Sequence, residues 1–440
     1  LASGHGDELI QVRQPLPMWI RASGYVEKYG PEDQFDLVGQ LPREHVPRTP
    51  QHAVRVGVRG AFVLLGKFLR HELVVLDVSP GAAMESQSGL QMKWPRIYGA
   101  FARAAKKHVA AIVIHPTSNF MGHYLMPHLP VAGVSLLGLN TRYAGNESNL
   151  IFERVIQDLG AGVQFLREQG YERVILLGNS GGASTVAFYQ AEAEASTITD
   201  TPAGDPIELS SEDLPPADGI ALFGAHPGRH LVMANWLDAS VISEQDPLAA
   251  DPALDIYNTV NGPPFSQEFI SRIRSAQRSR SDRITQNVRS RLRYIRALRD
   301  GPSDEAFVVY RTMADPRFLD LSLDANDRPL GTIWGDPKSI NYGANNVGRY
   351  TTLTSWLSQW SLASRADGPA CIARTTVPVL NLEYSADAAA FPSDIRMWSH
   401  AIGDGLEQYH EIKGATHYLE NRPDLMDQVV NLIADFARSI

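Results

Sequence analysis

The 440-residue chain holds one cysteine, Cys371, which excludes an intrachain disulfide and a multi-cysteine metal site. It has no uninterrupted apolar run near the roughly 20 residues that a membrane-spanning helix needs. Positive charge is also in deficit: 40 Lys and Arg stand against 49 Asp and Glu, for a net charge of −9. Phosphate contacts need clustered cations, so such a chain is not expected to bind nucleic acid. The opening residues, LASGHGDELI, lack the basic start and apolar stretch of a secretory leader, and cytoplasmic location is the default expectation. The composition is that of a folded protein, 44% hydrophobic and 20% charged. Its length allows two or three domains, or one domain with large insertions.

Residues 1–50, rich in Pro, Gly and charge, read as an irregular arm. Beyond them, short apolar or β-branched runs recur as strand candidates at 72–78, 110–116, 133–140, 173–178 and 219–225. Helical patterns separate them at 95–108, around 122–129, at 149–170 and at 183–195. In the third of these, Ile151, Val155, Leu159, Val163 and Leu166 fall on one face, and Gly170 stands where a C-cap is expected. Continuous apolar strands alternating with helices predict an α/β protein with a mostly parallel central sheet. The alternation stops after residue 225 and resumes with a strand at 377–384, another at 408–414 and a helix at 425–440. The expected organisation is an arm (1–50), a core (51–225), a large, mainly helical lid (226–376) and a second core part (377–440).

The strongest local signal is VILLGNSGGAS (174–184), a strand, a Gly-Asn-Ser-Gly-Gly turn and a helix. A sharp strand-to-helix turn needs small residues on both sides of its apex, and Gly178 and Gly182 fill those places. Such a turn lifts the Ser180 hydroxyl above the sheet edge, at the N-terminal end of the next helix. A serine needs a base, and His417 lies between the last strand and the last helix. The base needs an orienting acid. Asp387 follows the strand at 377–384 closely, and Asp394 competes seven residues on. For a developing oxyanion the candidate donors are the backbone amides of Gly181 and Thr117, with Ser118 beside it; Pro116 has no N–H to give. The order Ser180, Asp387, His417 is nucleophile, acid, base.

With these pieces, the His115-Pro116 turn and the Gly414-Ala415-Thr416-His417 segment, the sequence resembles α/β-hydrolase-fold serine hydrolases of the esterase and lactonase kind. The resemblance covers about residues 110–225 and 375–440. It implies helices flanking the central sheet, a lid after the sixth strand and hydrolysis through an acyl-enzyme on Ser180. No metal or organic cofactor is implied, and the partner is a small-molecule ester or lactone of partly apolar character. The family usually has His-Gly where this chain has His115-Pro116.

Other readings stay open. Gly178-Asn179-Ser180 is similar to carbon–carbon bond hydrolases, but those carry a bulky residue at the place of Gly181. Homoserine acyltransferases and ligand-binding receptors also use this fold. Dehalogenases and most epoxide hydrolases put Asp where Ser180 stands.

The lid carries ten Arg and two Asp in 271–300, a local +8 that leaves −17 on the rest of the chain. These read as amphipathic helix with solvated or paired Arg, or as a rim that attracts an anionic substrate. Trp356 and Trp360 share a helix face, either as packing or as an apolar substrate wall. Trp334, Tyr342 and Phe391 are further wall candidates. Ser118, Asn179 and His226 are the remaining candidate substrate contacts. His226 and His230 have a ligand-like spacing, but Pro227 and Gly228 between them speak against a metal site. Arg229, Arg142 and Asn146 are weaker contact candidates. Oligomeric state has no signature in the sequence.

Overall fold

The computed structural model describes residues 71–80, 95–210 and 212–440. The chain divides into Leu1–Phe68 and Leu69–Ile440, and everything described belongs to the second unit. The expected arm, 1–50, lies outside the described residues.

Eight strands form one sheet. They are β1 (His71–Asp77), β2 (Arg96–Ala102), β3 (Val109–His115), β4 (Ser135–Asn140), β5 (Arg173–Asn179), β6 (Gly219–Phe223), β9 (Val379–Tyr384) and β10 (Glu407–Ile412). A short ribbon, β7 (Ala306–Val308) with β8 (Tyr350–Thr352), stands apart. The sheet order is β1-β2-β4-β3-β5-β6-β9-β10. β2 runs antiparallel to both neighbours, and every pairing from β4 to β10 is parallel. The order reverses around β3, so the chain winds first to one side and then to the other. In such sheets the carboxyl ends of the central strands border the crevice where ligands bind.

The apolar runs are continuous because both faces are covered. On β3, Ala110, Ile112 and Ile114 enter one core cluster, and Val109, Ala111 and Val113 enter the other. β5 and β6 divide in the same way, with Val174, Leu176, Ile220 and Leu222 opposed to Ile175, Leu177, Ala221 and Phe223. This is the two-residue period of a strand. One face is covered by α1 (Phe152–Glu168) and α2 (Gly182–Glu194), the other by the terminal helix Pro423–Ser439. Just past α1 stands Gly170 with φ 79°, where the Gly170 and Tyr171 amides donate to the Arg167 and Leu166 carbonyls. That is the expected left-handed glycine cap.

Two expected helices are absent. Residues 96–102 form β2 rather than a helix, because the Ala-rich segment pairs on both edges with β1 and β4. Pairing overrides the local preference. Residues 122–129 form successive turns rather than a helix.

Between β6 and β9 the chain forms α3 (Arg229–Trp236), the long α4 (Gln267–Ala297), α5 (Pro337–Tyr342) and α6 (Gly368–Ile372). This segment has its own apolar clusters, one joining Ile284, Val288, Leu292 and Ile295 of α4 to Met233 and Trp356. After β9 comes α7 (Pro392–Ala401), and after β10 the terminal helix, α8. No helix among the described residues is long and apolar enough to cross a membrane.

Candidate active site

β5 ends at Asn179 and α2 begins at Gly182, so the reversal occupies two residues. Ser180 sits at its apex with φ 57°, a strained region for a residue with a side chain. The turn is held by the Ser180 amide donating to Phe223 O at 3.4 Å and by the His226 amide donating to Ser180 O at 3.2 Å. It is also held by what is missing. A Cβ on Gly182 would lie 2.1 Å from Ile114 O, so only glycine lets α2 start against β3. The strand order, the reversal around β3 and this elbow after β5 decide the architecture. The chain has the α/β-hydrolase fold.

No family model matches the chain, and no curated protein matches it. Among solved structures it is similar to the esterase domain of a Rhodothermus marinus protein at 13% identity and a TM-score of 0.40, covering 84% of this chain and 98% of that one. A thermostable carboxyl esterase from Bacillus coagulans is 11% identical, with a TM-score of 0.45 and coverage of 85% and 99%. A Paleococcus ferrophilus monoacylglycerol lipase is 14% identical, with a TM-score of 0.40 and coverage of 78% and 98%. At these distances the likeness carries no substrate.

His417 and Asp387, far apart in the chain, meet on loops at the carboxyl ends of β10 and β9. His417 Nδ1 lies 2.7 Å from Asp387 Oδ2, and both side chains are about 1% exposed. The other carboxylate oxygen of Asp387 accepts the Ala389 amide at 2.7 Å and the Ala390 amide at 3.1 Å. These fix the plane of the carboxylate. The carboxylate faces Nδ1, so Nδ1 carries a proton. Nε2 is buried and has no hydrogen-bond partner among the described residues. Gly224, φ 51°, lines this pair: a Cβ there would lie 3.2 Å from both Asp387 Oδ2 and His417 Nδ1. The competing Asp394 has another task. Its carboxylate accepts the Phe391 amide at 2.9 Å at the start of α7, and burial pushes it up to about 6.

His226 belongs to the same cluster. Its ring centre is 5.8 Å from that of His417, and its Nε2 is buried without a partner among the described residues. Burial, followed by the nearby His417, lowers it to about 3, so it is neutral. Next to it stands a row of aromatic rings. His226 and Trp236 are 6.3 Å apart, Trp236 and Phe318 6.0 Å, and Phe318 and Phe391 6.1 Å. Trp334, 5.4 Å from Trp236, carries the row to the surface.

Several expected contacts have other duties. Asn179 is fully buried. Its Oδ1 lies 3.2 Å from His123 Nε2 and its Nδ2 donates to Phe223 O at 3.0 Å, so it braces strands and has no free group for substrate. Trp356 is buried in the core around α4 and donates to Thr285 Oγ1 at 3.0 Å. Trp360 is equally buried, with the Arg229 guanidinium 4.2 Å above its ring. The two tryptophans lie on a π-helical turn, Trp356–Trp360, rather than a regular helix. Both are packing residues, fully buried on a turn that lies against α1, α3 and α4. Tyr342 stacks beneath Arg311, at 4.4 Å. Arg142 is locked in a fully buried pair with Asp158 at 2.6 Å. His230 turns to Asp367, 3.5 Å away, so the His226/His230 spacing does not converge. Among the described residues no group of three or more His, Cys, Asp or Glu could hold a metal.

The loop after β3 differs from expectation. The Thr117 amide donates to His115 Nδ1 at 3.2 Å and the Ser118 amide does so at 2.9 Å. Both are turned inward onto the ring, so neither is free for an oxyanion. Thr117 Oγ1 accepts from Arg229 Nη1 at 3.3 Å. Arg229 pairs with Glu147, whose other oxygen accepts the Gly348 amide at 2.9 Å. Sequence reasoning gave His115 no role beyond its turn, and missed Glu147, Trp236 and Phe318. For two of them position is a signal, since His115 ends β3 and Glu147 follows the carboxyl end of β4; Trp236 and Phe318 carry none.

Proposed function

We propose that the chain is a serine hydrolase that cleaves a carboxylic ester or lactone through an acyl-enzyme on Ser180. The observation that carries this reading is the buried His417–Asp387 pair, with Nε2 of His417 unpartnered, beside an elbow that strains Ser180 into the left-handed region. Ser180 Oγ attacks the substrate carbonyl carbon while His417 Nε2 takes its proton. Asp387 holds Nδ1–H and stabilises the imidazolium. The imidazolium then protonates the leaving alkoxide as the carbon–oxygen bond breaks. Water attacks the acyl-enzyme, giving its proton to His417, and the returning proton frees Ser180. The Gly181 amide, at the open N-terminal end of α2, donates to the oxyanion.

Residues 226–376 act as the lid over this centre, and Trp236, Phe318 and Phe391 supply an apolar wall for the acyl or alcohol part. The aromatic row reaching Trp334 favours a substrate longer than a short acetyl ester.

The test is labelling with a fluorophosphonate, with peptide mapping, on the parent, Ser180→Ala and His417→Ala. Labelling at Ser180 that is lost in both variants, together with hydrolysis of p-nitrophenyl butyrate by the parent alone, is expected. A folded parent that takes no label and cleaves no ester or lactone would exclude this function.

A further inference from the structure

The oxyanion site lacks its second backbone donor, since the Thr117 and Ser118 amides are both spent on His115 Nδ1. That same pairing fixes the tautomer of the ring. A nitrogen that accepts two N–H groups carries no proton, so the proton of the neutral imidazole is on Nε2. Nε2 points to the elbow: a Cβ on Gly181 would lie 3.0 Å from it. No partner for Nε2 is found among the described residues. The absence of a side chain at Gly181 is what makes room for the ring.

We propose that the Nε2–H of His115 is the second donor to the oxyanion formed at Ser180, taking the place of a loop amide. The inference rests on the serine-hydrolase reading. A neutral imidazole suits the task. It polarises a carbonyl oxygen by hydrogen bonding and does not add a charge that would oppose the imidazolium forming on His417. The surroundings keep it neutral: burial first, then Arg229 and the neighbouring His226, His417 and His123 hold its pKa well below the ordinary value. Two amides locking Nδ1 mean that the donor is already aimed when substrate arrives, which is the condition for electrostatic stabilisation of a transition state.

Two substitutions separate the roles of the two ring nitrogens. In His115→Asn the side-chain oxygen can reach the Nδ1 position and keep the loop tied, but nothing reaches the Nε2 position. In His115→Gln the terminal amide reaches the Nε2 position and the loop tie is lost. With p-nitrophenyl butyrate, His115→Asn is expected to lower kcat by about 10²–10³-fold with little change in KM. His115→Gln is expected to recover at least about tenfold of that loss. His115→Gln as impaired as His115→Asn would reduce His115 to a loop tie, and parent-like rates in both would also overturn the proposal. Nitrogen-15 NMR of the parent gives an independent reading. A proton on Nε2 that shifts when Ser180 is phosphonylated is expected, and a proton on Nδ1 would overturn the assignment even if neither variant folds. Failure of the hydrolase reading is seen earlier and separately, as a parent inert to both the ester and the fluorophosphonate.

Discussion

At the scale of single residues, the site depends on where side chains have been left out. Gly224 is the clearest case. Its φ of 51° costs an alanine roughly 1–2 kcal/mol, and the added Cβ would stand 3.2 Å from both atoms of the His417–Asp387 bond. Gly224→Ala is therefore expected to slow fluorophosphonate labelling of Ser180 by about tenfold or more while the protein stays folded, because small displacements of a reacting group are costly. An unchanged labelling rate in a folded variant would show that the pair tolerates the contact. Gly181 works in the same way on His115, and Gly182 on the carbonyl of Ile114. Ser180 and Asp387 were legible as candidates because each follows a buried apolar strand, β5 and β9, whereas β10 before His417 is polar and mostly exposed, so His417 was legible only from its place between the last strand and the last helix. The role of Asp394 was not legible. A carboxylate seven residues from Asp387 has the same local pattern, and only the helix it caps distinguishes it.

At the scale of elements, the Arg-rich stretch that dominates 271–300 resolves into one helix, α4, with arginines of different kinds. Arg280 is buried, bidentate to Glu244 at 2.9 and 2.8 Å, and donates to the Asp238, Tyr310 and Arg311 carbonyls. Arg274 pairs with Asp315 at 2.7 Å, Arg291 with Glu305 at 2.6 Å and Arg296 with Asp205 at 2.9 Å. Much of the local positive charge is therefore consumed within the fold, as the paired reading of the stretch expects, rather than gathered into a rim. The contrast is measurable by urea unfolding. Arg280→Ala is expected to cost about 3–5 kcal/mol, since it strands a carboxylate and three carbonyls, whereas the exposed Arg289→Ala stays within about 0.5 kcal/mol. Equal losses from the two would mean that helix propensity, not pairing, governs the stretch. The misreading of β2 belongs to this scale too. RIYGAFARAAKK contains good helix formers, but Ile97 and Phe101 pack into the core from a strand paired on both edges.

At the scale of the whole molecule, buried titratable groups make stability depend on pH in opposite directions. Burial pushes the Glu153 carboxyl up to about 7, with its Ser358 hydrogen bond only partly offsetting it. A raised carboxyl contributes stability that is fully present below its unfolded value near 4.5 and is lost as pH rises through about 7, roughly 3 kcal/mol in all. Glu153→Gln mimics the protonated form. It is expected to gain stability relative to the parent between pH 4.5 and 8 in urea unfolding, and a constant difference between the two would refute the assignment. His226 and His123 act on the other side. Burial lowers them to about 3 and about 4, so the stability of keeping them neutral is present above their unfolded value of 6.5 and is lost as pH falls through those lowered values. His226→Phe keeps a ring against Trp236 but cannot take up a proton, so its acid unfolding, followed by circular dichroism, is expected at lower pH than the parent's, and an unchanged midpoint would refute the assignment.

The sequence by itself determined the alternation of strand and helix from β4 to β6, the elbow around Ser180 and the loops that carry Asp387 and His417. Those features are local: apolar runs, glycines at fixed offsets and chain order record burial and turn geometry directly. The tertiary structure alone decided which polar atoms are left free. The Thr117 amide, Asn179 and the Trp356 indole have the right chemistry, and each is spent on a neighbour that lies far away in sequence or faces it only through the fold of a loop. Hydrogen-bonding capacity is a property of a residue type, but whether a group keeps it for a substrate depends on every group that packing brings within 3 Å or so.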